Sequence, residues 1–196
     1  MRRNLGLSLL IGALLTLTGC PRYDAVRRMS TEQLRVQAEL GKNTQAYFAA
    51  IDKLLDQQVL VADYRLDRIT QEQVWTLDDQ LGVALAAEPD ATKHAALIDK
   101  NSKAVAAASA DTQAKKQQIA AHVKIIKDKH QEIVQAYAEM YKSQQELDRY
   151  IQLKKVDEVI AEQVMGALKV NQEKITGALD AAAKASNAIT ALLPPK

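Results

Sequence analysis

Between Ile119 and Ile151 the chain sets Ile119, Val123, Ile126, His130, Ile133, Tyr137, Met140, Gln144, Leu147 and Ile151 in steps that alternate four and three. That is the repeat of a helix whose seam faces another helix. Past Ile151 the stripe changes phase and resumes as Val156, Ile160, Val164, Leu168, Ile175, Leu179, Ala182, Ile189 and Leu192, until Pro194-Pro195 ends it. An earlier helical stripe runs through Leu40, Tyr47, Ile51, Leu55, Val59, Ala62, Leu66, Ile69, Val74, Leu77, Leu81 and Leu85. Ser30 and Gln33 form a capping box at its start. Trp75 and Phe48 fall near this stripe and are expected in the core.

The clearest punctuation is AAEPDATK, residues 86–93, where Pro89 removes a backbone donor and Asp90 can cap a following helix. Weaker breaks are expected near Asp67–Gln73, where Thr70 and Gln73 make a second capping box, and at Asp111-Thr112. Between Ile98 and Ile119 large apolar groups are scarce and alanine is frequent, which favours helix and either admits a close neighbour or leaves an exposed segment. A single helix over residues 91–193 would reach ~150 Å at 1.5 Å per residue. A fold-back is therefore expected, with Ser143 and Glu146 as the capping pair near Ser143–Arg149.

The predicted fold is all-α: an elongated antiparallel bundle of about three long helices with coiled-coil-like packing, the alternatives being a two-helix hairpin and a four-helix bundle. It would occupy residues 30–193. Residues 20–29, which contain Arg22, Arg27 and Arg28 and have no clean period, read as a tether.

Composition agrees with that class. Of 196 residues 47% are apolar, 26% charged and only 4% aromatic, with few glycines and prolines, which argues against a β-sandwich. The net charge of +2 owes two positives to Arg2 and Arg3; without residues 1–19 the chain carries 24 basic against 24 acidic side chains. A neutral chain lacks the basic face that displaces counterions from nucleic acid. One cysteine forms no internal disulfide.

Residues 1–20 combine a basic start (Arg2, Arg3), an uncharged leucine-rich run from Leu5 to Leu17, and a small-residue end before Cys20. This is the layout of a secretory signal peptide, and the run is short for a transmembrane helix, which takes roughly 20 apolar residues. Leu17-Thr18-Gly19-Cys20 resembles the lipobox of bacterial lipoproteins. The resemblance implies that residues 1–19 are cleaved, that Cys20 receives a diacylglyceryl group and amine-linked acylation such as palmitate, and that the mature chain is held to the cell envelope. Pro21-Arg22 lacks the aspartate that marks inner-membrane retention, so the outer membrane, facing the periplasm, is the expected location.

Candidate chemistry is sparse. His94, His122 and His130 have neither HExxH nor Glu-x-x-His spacing, and no CxxC, Gly-rich phosphate loop or GxSxG is present, so no metal, cofactor or catalytic residue is expected. His130 reads as a register-setting polar residue of the seam. Asp78-Asp79, Asp157-Glu158 and the lysines 115, 116, 124, 127 and 129 read as solvated, salt-bridged faces. The expected role is a noncatalytic, lipid-anchored envelope protein that acts through a protein partner or self-association of its seams. An exclusion or immunity-type lipoprotein that blocks a toxin, phage or conjugation component is the alternative, and a periplasmic small-ligand or metal carrier a third.

Overall fold

The computed structural model describes residues 21–153 and 158–193. Three long helices pack against one another and no strand occurs among the described residues: α1 (Pro21–Ala87, 67 residues), α2 (Ala91–Gln152, 62 residues) and α3 (Glu158–Leu192, 35 residues). The described residues thus form an all-α bundle of three helices.

The turn at residues 88–90 forms as its residues dictate. Asp90 caps α2, its Oδ1 accepting from the Thr92 backbone N–H at 3.0 Å and from the Thr92 hydroxyl at 2.7 Å. The Asp90 carbonyl accepts from the Lys93 N–H at 3.0 Å, and the Glu88 carboxylate accepts from the Asp90 N–H at 3.1 Å. These contacts satisfy donors that a helix start leaves unpaired.

The other expected breaks do not occur. Thr70 and Thr112 lie inside α1 and α2 and hydrogen-bond to each other across the helix pair, while the Thr70 hydroxyl also donates to the Leu66 carbonyl at 2.9 Å. Such side chains favour helix starts only when the preceding turn is absent; here they bond backward and sideways instead. Ser143 does likewise, donating to the Glu139 carbonyl at 3.1 Å. The fold-back expected at Ser143–Arg149 therefore falls later, after Gln152, where the stripe changes phase. Of the segment read as a tether, residues 21–29 are helical and belong to α1. Ser30 is buried within α1 rather than capping it.

The chain divides into two compact units. Unit 1 takes residues 1–49 and 129–180; unit 2 takes 50–128 and 181–196. Within unit 1, Leu147 and Ile151 of α2 pack with Val164 and Leu168 of α3, joined by Val26 and Met140. Arg27 Nε donates to Gln152 Oε1 at 2.7 Å, and Phe48 stacks on His130 with centroids 4.3 Å apart. Rising numbers on α1 thus meet falling numbers on α2, as an antiparallel pair requires. Lys174 of α3 bonds Glu139 of α2 at 3.0 Å.

Within unit 2, Ala62 and Leu66 of α1 pack with Ile119 and Val123 of α2, and Ile189, Leu192 and Leu193 close over them. Lys127–Asp56 and Lys116–Asp67, both at 2.6 Å, and Asn101–Asp78 at 2.9 Å continue the antiparallel register.

All ten seam positions from Ile119 to Ile151 are buried or half-buried. On α3 the observed seam is Val164, Leu168, Asn171, Ile175, Ala178, Ala182, Ala185, Ile189 and Leu192, again in alternating fours and threes. Leu179, expected in the stripe, is 49% exposed while its neighbour Ala178 is 3% exposed. Close approach of the helices selects the small side chain there over the large one. Leu40 and Tyr47 of α1 are likewise exposed. Val156 lies outside the described residues.

Candidate interaction surfaces

Cys20 and the lipobox residues Leu17, Thr18 and Gly19 lie outside the described residues, as do residues 1–19 and Asp157. The histidines do not converge. His94 Nε2 lies 2.9 Å from the Glu88 carbonyl and belongs to the 88–90 turn. His122 is half-buried on α2, and its Nδ1 has no hydrogen-bond partner in the protein. His130 is buried in unit 1 against Phe48. Among the described residues no group of three or more His, Cys, Asp or Glu side chains is placed to hold a metal ion. No described helix is long and apolar enough to cross a membrane.

Four of the five lysines are paired as a salt-bridged face requires, and Lys124 is exposed to solvent. Lys115 meets Asp111 at 2.6 Å, Lys116 meets Asp67, Lys127 meets Asp56, and Lys129 meets Glu132 at 2.5 Å. Asp78 is exposed and accepts from Asn101. Near the start of α1, Arg35 lies between Glu32 and Glu39. Its hydrogen bond to Glu32 holds that carboxyl below the usual carboxylate range and pushes the guanidinium further toward its charged form. At full exposure this is a local surface pair.

What remains is apolar surface. In unit 2 a groove of ≈ 540 Å³ runs along α1, with Leu54, Val61 and Arg65 on its wall, Ile119 and Val123 of α2 at its base, and Ile189 and Leu193 from the end of α3. Leu60 and Tyr64 are exposed beside it on α1. The groove exists because α1 carries doubled apolar positions, Leu54-Leu55 and Val61-Ala62. One member of each pair enters the core and the other stands outside it. An ordinary two-sided seam needs only the first. That doubling was the available sequence signal, and a search for a single stripe passes over it.

Farther along unit 2, α1 and α2 continue as a pair. Ala104, Ala107 and Ala108 of the alanine-rich stretch lie opposite Ile69, Thr76 and Leu77 and line a second cleft of ≈ 620 Å³. The small side chains therefore admit the neighbouring helix and also leave a channel beside it. Trp75, expected in the core, is 60% exposed there, because among the described residues this stretch holds only α1 and α2. Phe48 is half-buried, as its stacking requires.

No protein-family model matches the chain, and no curated protein or solved structure is significantly similar to it.

Proposed function

We propose that the protein is a noncatalytic, lipid-anchored component of a bacterial cell envelope that works by binding a protein partner, with Cys20 as the lipid attachment point and the outer membrane, facing the periplasm, as its site. The anchor rests on the order of basic start, apolar run and Leu-Thr-Gly-Cys. Two or three acyl chains would hold such a chain stably without a spanning helix.

The interaction role rests on the groove of unit 2, whose wall leaves Leu54 and Val61 exposed, with Leu60 and Tyr64 standing beside it. Its lining is made by two helices and the end of a third, so the shape it fits best is another amphipathic helix laid alongside, with apolar side chains three and four residues apart. Exposed apolar groups clustered in this way mark contact surfaces more often than isolated ones do.

The test combines anchor and surface. Replacing Cys20 with Ala should release the protein from membranes and abolish palmitate labelling; continued membrane fractionation with unchanged acylation removes the anchor. A photocrosslinking residue at Val61 or Tyr64, in cells, should capture one envelope protein that the same probe at exposed Gln131 does not. Capture of only another copy of this chain would replace the partner with self-association.

A further inference from the structure

The fold brings to one end of unit 1 three pieces of chain that lie far apart in sequence. Gln152, the last residue of α2, accepts from Arg27 Nε at 2.7 Å and donates to the Thr31 hydroxyl at 3.3 Å. Val26 packs on the cluster of Leu147, Ile151, Val164 and Leu168. Residues 26–31 of α1, the last turns of α2 and residues 164–168 of α3 are therefore level with one another. Pro21, the first described residue of α1 and the one bonded to Cys20, lies toward this same end.

The side chains at that end are unusual for a solvated terminus. Met29 of α1, Leu153 after α2 and Val159 of α3 are all more than half exposed. Arg28 and Arg149 are exposed beside them, and Arg27 is held half-buried by Gln152. Of the described acidic groups nearby, Asp148 accepts from Gln152 at 3.2 Å and Glu32 is bonded to Arg35, while Glu146 and Glu162 stand exposed. Exposed apolar tips beside arginines suit the interface of a bilayer, where the first enter the acyl boundary and the second meet phosphates.

We propose that this end of unit 1 is a membrane-contacting face whose partner is an anionic phospholipid surface; the inference rests on acylation of Cys20. Arg28 lies eight residues after Cys20, ~12 Å along a helix, which is within about one to two Debye lengths of the headgroups. The acyl chains supply the affinity. Leu153, Val159, Arg28 and Arg149 set the orientation of unit 1 on the bilayer, because the chain is already helical at Pro21, the residue bonded to Cys20.

The experiment uses the full lipidated chain in vesicles, with Trp75→Phe as background and a single new tryptophan at Leu153, at Val159, or at exposed Ala138, about 20 Å earlier on α2. Brominated phospholipid should quench the probes at 153 and 159 several-fold more than the one at 138. In vesicles containing phosphatidylglycerol, Arg28→Glu with Arg149→Glu should remove that excess. Equal quenching at the three positions in acylated protein overturns the membrane face and leaves the anchor standing. Unchanged quenching after charge reversal overturns the assignment to an anionic surface. Intact-mass measurement of the parent is read first: a chain without acyl groups overturns anchor and face together.

Discussion

Asn171 sits on the α3 seam, buried, with its Oδ1 lacking a protein donor. A buried polar atom without a partner costs about 1–3 kcal/mol, whereas an apolar group of similar size does not carry that cost. Asn171→Leu should therefore raise the stability of the protein by about 1–3 kcal/mol, read from urea unfolding. A fall instead would show that Oδ1 is satisfied in solution. Among the described residues, the buried polar ones, Ser30, His130, Gln144 and Asn171, all belong to unit 1. Polar seam residues trade stability for register, and His130 against Phe48 does this by stacking as well as by position. The contrasting case is Ile133, 2% exposed on the same seam as His130. Ile133→Ala removes three carbons from a packed site and should cost about 2–5 kcal/mol, against less than about 0.5 kcal/mol for the exposed Val83→Ala.

At the scale of the helix, the start of α2 carries the pH dependence. The hydroxyl of Thr92, and then its backbone N–H, stabilise the Asp90 carboxylate and lower its pKa from the usual value. A carboxyl lowered by folding contributes stability above its unfolded pKa and loses it as pH falls through the folded value. Hydrogen exchange at the Thr92 and Lys93 amides should accordingly show fraying on acidification below the ordinary carboxylate range. Asp90→Asn, still a good cap, should keep those amides protected and remove the pH dependence, while Asp90→Ala should fray them at every pH. In α3 a Cβ at Gly166 or Gly177 would meet nothing within 4 Å. Each glycine-to-alanine change should stabilise the helix by roughly 0.5–1 kcal/mol, visible as a higher thermal midpoint. The helices were legible in the sequence to different degrees, for reasons these residues make plain. The α2 seam could be read position by position because its large β-branched and aliphatic residues are the buried ones. On α3 the seam passes through Asn171, Ala178 and Ala185, which hydrophobicity alone ranks below Leu179. Capping boxes at Thr70 and Ser143 carried no information, since the same side chains bond backward once a helix is held by its neighbours. The groove depended on which member of Leu54-Leu55 faces inward, a matter of tertiary packing.

Across the molecule, burial is unevenly shared, and this sets where the fold should open first. No residue from 67 to 118 is fully buried, although Leu66 and Ile119 on either side of that stretch are. These residues form the paired ends of α1 and α2 in unit 2, where alanines face α1 and α3 has already ended. Their backbone hydrogen bonds are helical and intact, but few apolar contacts hold the pair together. Local opening follows contact density, so this hairpin should exchange at a lower free energy than the cores. By hydrogen exchange read on peptides, residues 97–112 should exchange well before residues 119–133, and Ile133→Ala should speed the second set while leaving the first nearly unchanged. Simultaneous exchange of both sets in the unmodified protein would mean that the hairpin and the cores unfold as one cooperative unit. The same measurement bears on function, because the groove at Leu54, Val61 and Arg65 borders the hairpin. A partner helix seated there should slow exchange across residues 54–65 and 119–123, and leave the alanine-rich residues 97–112 as they were.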